Sequence, residues 1–325
     1  MTLPSPTTLP PMTDQHAQAF QELKQKIEEQ FGPVVKGETW YDDVTIDRFL
    51  RARSYSIPAA LSQFSTTDKW RRDSHLAQRF EDMDGAWLRR ARQCYPRLVG
   101  RCDRRGRPMF VFQPGAIDPS KHKDLLEASE ERRFSTIAVL TEHLTSLYIP
   151  MASTLNQQRG GGPVTESMSI VDLSGLSFRT LWTLRSHLGS ASKLNSAHFP
   201  ETLGTLVLVN TPSFFSTIWS WIQAWFDKGT REKIVILSGE EMRAGKFKEL
   251  VEPEDLPVGY GGELEWTYFD QPDLDEGFKE LLGVQEMPDA PCRWNGERLV
   301  MAGEAGKKDD AVEMNGGGDE AREPH

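Results

Sequence analysis

The sequence predicts an α/β fold fronted by a small all-helical module. Three observations carry that prediction. Short apolar runs of strand type alternate with helical stretches from residue 97 onward. Ahead of them, three amphipathic stretches succeed one another without a strand signal. The stretch 198–237 reads as strand, aromatic helix, strand.

Residues 1–13 are rich in Pro and Thr and are expected to be disordered. A helical module spans 14–88. Its first helix, 14–30, spaces Phe20, Leu23, Ile27 and Phe31 by three or four. Asp42 and Asp43 can cap the second, TIDRFLRAR, with Ile46, Phe49 and Leu50 on one face and Arg48, Arg51 and Arg53 flanking it. Ser56 is placed to cap the third, where Pro58 is tolerated in the first turn.

An α/β lobe is expected over 89–270. RLVGRCD and RPMFVFQPG read as strand, turn, strand. A long helix runs from Asp124 to Tyr148, stopped by Pro150, and NQQRGGGP is a surface loop. Met168–Leu173 is a strand, Ser177–Leu194 a helix, and Thr205–Val209 a strand of the type buried on both faces. A helix near Glu240–Leu250, the turn LPVGYGG and a strand or extended segment ELEWTYF complete the lobe. Residues 271–300 form an extension. The tail 301–325 holds seven acids against three bases and no aromatics, the composition of a disordered segment.

The helix Phe214–Phe226 stands apart. Phe214, Phe215, Ile218, Trp219, Trp221, Ile222, Trp225 and Phe226 fall within an arc of roughly 160°. Leaving eight such side chains in water would forfeit on the order of 12–24 kcal/mol, so this face covers something. An ordinary core helix satisfies that requirement. So does a helix that closes over an apolar ligand and can turn to a bilayer, where Trp is well suited.

The formal net charge is −10 but uneven. Arg48–Arg133 carries nineteen Lys and Arg against eleven Asp and Glu, a balance of +8, so the remainder carries −18. Such polarity suits orientation on an anionic membrane surface, and equally a solvated Arg-rich face. Nucleic-acid binding finds no support, since there is no zinc-finger spacing and the whole is acidic. Cys94, Cys102 and Cys292 form no CxxC pair and read as structural thiols of a reducing compartment. No signal peptide or membrane-spanning run is visible, so any membrane contact would be peripheral.

No catalytic or metal-binding arrangement emerges: no GxSxG, no HExxH, and seven scattered His. The chain is therefore read as a non-enzyme without metal or cofactor. Glu201 and Lys233 flank the aromatic helix at the starts of two neighbouring strands. A carboxylate and an ammonium there, with Thr230 one turn before the Lys, would suit a polyhydroxylated phosphate headgroup. A plain surface ion pair explains the same spacing.

In order, RFLRAR, WRRD, DRRGRPMFVF, MSIVDLSGLS, LNSAHFPETLG, LVNTPSFFSTIWSWIQAWFDKGTREKIVIL and EDLPVGYGG resemble the CRAL-TRIO lipid-binding family over about 40–266, in its fungal phosphatidylinositol/phosphatidylcholine transfer form. The resemblance implies a helical module beside a lobe whose mixed sheet floors an apolar pocket, gated by the aromatic helix. It implies phosphatidylinositol contacts from Arg53, Glu201, Thr230 and Lys233, and phosphatidylcholine contacts from Ser167 and Ser169, where the second hydroxyl is usually Thr. Haem-binding relatives need Tyr or His at those positions. Ser54 departs from the pattern, since many phosphoinositide-binding members carry Lys there. The same resemblance implies a cytoplasmic monomer, peripheral to Golgi or endoplasmic reticulum membranes. Its implied partners are phospholipid and a membrane surface, and the expected function is transfer of phosphatidylinositol and phosphatidylcholine. The alternative, which the acidic tail and the Gly loop would serve, is a regulator that holds lipid without transferring it and presents phosphatidylinositol to a lipid kinase or signals through a protein partner.

Overall fold

The computed structural model describes residues 9–35, 39–118, 120–211, 215, 219, 223 and 228–304, with backbone alone for 178, 181–187, 228 and 230. Three helices open it: α1 (Asp14–Phe31), α2 (Asp43–Ala52) and α3 (Ile57–Asp73). The Asp42 carboxylate accepts from Thr45 N and caps α2, as its position suggests. Ser56 precedes α3 but makes no side-chain cap bond. The three helices bury Phe20, Leu23, Ile27, Ile46, Phe49, Leu50 and Phe64 in one cluster. Leu9 and Met12, from the stretch expected to be disordered, pack against it. Two short helices that the sequence does not announce, α4 (Leu76–Glu81) and α5 (Gly85–Ala91), lead into the lobe.

The lobe is built on a five-stranded sheet in the order β1 (Arg97–Cys102), β2 (Pro108–Phe112), β3 (Ser167–Asp172), β4 (Leu203–Val209), β5 (Ile234–Ile236). β1 and β2 are antiparallel and all later pairings parallel, so the sheet is mixed. The helical module and mixed sheet agree with the expected fold class.

One expectation is corrected, and two open ones take definite form. The helix expected over 124–148 is broken into α6 (Lys123–Leu126) and α7 (Glu130–His143), and Pro150 does not stop it. A π-helical turn, Leu144–Tyr148, links α7 to α8 (Ile149–Gln158). Pro150 therefore falls at the second residue of α8, just past the wider π turn, and the helix runs through it. The segment ELEWTYF forms no strand of the sheet. It runs irregularly, with Trp266 and Tyr268 buried in the core below the sheet. The 271–300 extension is structured: a helix, Glu276–Leu282, and a hairpin of β6 (Cys292–Trp294) with β7 (Leu299–Met301), which reaches the first residue expected in the disordered tail.

The module docks on the lobe through α3 and α9 (Phe178–His198). The Trp70 and His198 rings stack 4.0 Å apart and 4° from parallel, and the Thr67 hydroxyl lies 3.1 Å from His198 Nδ1. Burial, assisted by the Arg71 charge, pulls His198 down to about 4. A base with a depressed folded pKa is protonated first in the unfolded chain. Stability is then lost as pH falls from the ordinary His value near 6.5 towards 4, by at most about 3 kcal/mol. A His198→Gln variant is expected to show a flatter melting-temperature profile across that window.

Candidate functional site: a sheet-floored cavity and its charged rim

Strand alternation divides the sheet's two faces. Met109, Val111, Met168, Ile170, Val207 and Val209 point into a closed core. Their neighbours Phe110, Ser167, Ser169, Val171, Leu206 and Leu208 face the other way and line a cavity of about 420 Å³. α7 and α9 wall it with Ile137, Leu140, Leu188 and Ala191. Its floor and walls are mostly apolar side chains, which favour an apolar occupant over water.

The polar residues gather at the amino ends of β3, β4 and β5. Parallel pairing of Leu206 with Ile234 brings the starts of β4 and β5 side by side. Lys233 Nζ reaches back and donates to Glu201 Oε2 and to the Leu203 carbonyl, both at 2.7 Å. Arg51, from α2, lies 3.7 Å from the same Glu201 oxygen. Its Nε donates to Asp47 Oδ2 at 2.7 Å and its Nη2 to Thr165 Oγ1 at 3.3 Å. Arg51, Glu201 and Lys233 side chains are each about a quarter exposed, while Asp47 is fully buried. Two acids balance two bases here, so an entering phosphate can take the ammonium while its polyol engages the carboxylate. Glu201 holds a left-handed backbone, φ 54°, that costs a residue with a Cβ on the order of 1–2 kcal/mol.

Ser167 sits on this rim as well. It is buried, and its hydroxyl donates to the Thr202 carbonyl at 3.0 Å. Ser167 and Ser169 alternate onto the cavity side of β3. Arg53 is not part of the cluster. It is exposed as the C-cap of α2, and the arginine beside Glu201 is Arg51, on the Asp47 face of that helix. The i,i+4 spacing of Asp47 and Arg51 is the sequence signal that marks this pair. Thr230 lies in the helix Lys228–Glu232, one turn before Lys233.

Of the aromatic helix, Phe215 and Trp219 are described. Their rings stack at 5.7 Å and both line the cavity, the position a cover would take. Phe214, Ile218, Trp221, Ile222, Trp225 and Phe226 lie outside the described residues. Among the described residues, no group of three or more His, Cys, Asp or Glu is placed to hold a metal ion. Nor is any described helix long and apolar enough to cross a membrane.

Comparison with known proteins agrees with this architecture. The chain is 27% identical over 252 residues to the SEC14 cytosolic factor of Eremothecium gossypii, covering 78% of each. It is 27% identical over 225 residues to the phosphatidylinositol/phosphatidylcholine transfer protein SFH9 of Arabidopsis thaliana, covering 68% of this chain and 37% of that one. The crystal structure of Sfh5 superposes with a TM-score of 0.52 at 14% identity, over 84% of this chain and 97% of that one, a likeness of fold. Residues 93–262, more than half of the chain, match the CRAL/TRIO domain. The protein belongs to the CRAL/TRIO domain family.

Proposed function

We propose that the protein binds phosphatidylinositol and phosphatidylcholine in the sheet-floored cavity and transfers them between membranes. The observation that carries this is an apolar cavity lined by Ser167, Thr202 and Leu203, the last of which accepts through its carbonyl from Lys233 of the neighbouring Lys233–Glu201–Arg51 cluster. The transfer-protein relative supports the choice of lipids. Glu201, Lys233 and Thr230 take the inositol phosphate, with Arg51 supporting Glu201 and Arg53 at the solvent edge. Ser167 and Ser169 serve the phosphocholine group.

A diacyl lipid buries roughly thirty methylene-type carbons, each worth about 0.8 kcal/mol. Release into water would cost more than about 20 kcal/mol, so exchange takes place against a bilayer. Val235 and Ile236, exposed on β5 directly after Lys233, suit that contact. The protein works as a monomeric, non-catalytic carrier that needs no cofactor. It acts in the cytoplasm at the surface of Golgi and endoplasmic reticulum membranes.

The test combines mass spectrometry of lipids extracted from the purified protein with transfer of labelled lipids between vesicles. Both lipids should be recovered and both transferred. Lipid that is bound but never transferred would overturn the carrier reading and point to presentation of lipid to a kinase.

A further inference from the structure

The β1 side of the cavity carries a cluster of charge of its own. Arg92, in the short helical turn Arg92–Cys94, and Arg97, at the start of β1, both line the cavity. β1 and β5 are the two outer strands of the described sheet. Four inter-strand spacings of ~4.8 Å set Arg97 about 19 Å across from the Lys233 edge.

Both guanidiniums are pinned by carbonyls. Arg92 Nη1 donates to the Pro288 carbonyl at 3.0 Å, and Arg97 Nη2 donates to the Asp270 carbonyl at 2.5 Å. Neither forms an ion pair with a carboxylate among the described residues, though the Asp270 charge acts on Arg97, whose guanidinium also lies 5.8 Å from the centre of the Tyr268 ring. Asp289 also lines the cavity but pairs with Arg89. The Asp270 carboxylate accepts from Thr267 N at 2.7 Å and Thr267 Oγ1 at 2.8 Å. Arg92 Nε, Arg92 Nη2 and Arg97 Nη1 are buried with no acceptor among the described residues. Arg97 is 7% exposed.

A guanidinium cannot escape such a position by losing its proton. One buried positive charge, Arg97, beside a half-buried one, Arg92, both held by neutral oxygens, calls for an anion from outside the chain. A hydrated inorganic ion is poorly suited to this place, because the cavity beside it is mostly apolar. An acid group carried on a hydrocarbon chain brings its own apolar cover. Tyr148 lines the same cavity, and the Arg92 charge acts on its hydroxyl.

We infer that Arg92 and Arg97 form a second ligand site at the β1 end of the cavity, for an acyl lipid ending in an acid group, either a fatty-acid carboxylate or a lysophosphatidate-type phosphate monoester. The inference rests on the cavity being a lipid cavity, and its test separates the two readings. Palmitate, methyl palmitate and 1-palmitoyl lysophosphatidate displace a fluorescent lipid from the wild-type protein, Arg92→Gln and Arg97→Gln. Wild-type protein is expected to bind at least one acid about tenfold or more tighter than the methyl ester. Each variant should bring that ratio towards one. The tighter of the two acids names the source of the anion.

Equal binding of acid and ester by the wild-type protein overturns the site, and that comparison needs no variant to fold. An acid preference unchanged in both variants overturns it equally. Wild-type protein that transfers phosphatidylinositol yet shows no acid preference defeats this inference alone. Failure to bind any lipid defeats the carrier reading itself.

Discussion

Replacing Lys233 by alanine is expected to lower phosphatidylinositol transfer by roughly 10–100-fold while sparing phosphatidylcholine. The lost contact is a charge-assisted hydrogen bond to phosphate, worth about 1.5–3 kcal/mol. The fold should survive. Lys233 is about a quarter exposed, and Glu201 keeps Arg51 at 3.7 Å when its ammonium partner goes. Glu201→Gln should act in the same direction through the inositol hydroxyls, because a neutral amide accepts less strongly than a carboxylate. Both labelled lipids, offered in one vesicle population, provide the internal control. Equal loss of the two would show that the Lys233–Glu201 pair maintains the rim without reading the headgroup.

Leu208→Trp should abolish transfer of both lipids together while leaving the melting temperature within a few degrees of wild type. Leu208 is buried on the interior strand β4 and lines the cavity. In a filled core an added indole costs about 1–3 kcal/mol in strain. Here the ring has space to enter, and it takes volume that acyl chains would use. Melting and transfer measured on the same preparation separate the cases. A large drop in melting temperature would mean that the ground above β4 is already packed. Intact transfer would mean that the lipid lies elsewhere.

Much of this architecture is legible in the sequence, for definite reasons. β2, β3 and β4 show as apolar runs because both faces of the sheet are covered. The meeting of Glu201 and Lys233 follows from placing them before two strands that pair directly. What the runs cannot say is which face is hollow. Leu206 and Leu208 face the cavity while Val207 and Val209 face the core, yet all four are equally apolar. Arg51 is obscured for a different reason. It and Arg53 both flank the apolar face of α2, and only the 3.6-residue turn, with Asp47 four positions earlier, puts Arg51 on the Glu201 side. β6 and β7 span three residues each, too short for any period to appear. Pro150 reads as a stop unless the π turn ahead of it is known.

The left-handed backbone at Glu201 carries an evolutionary consequence. A drift towards glycine at this position would relax the main chain, yet it would also leave Lys233 and Arg51 without the carboxylate they share. A library screened for heat resistance should therefore retain Glu201 in spite of its strained turn.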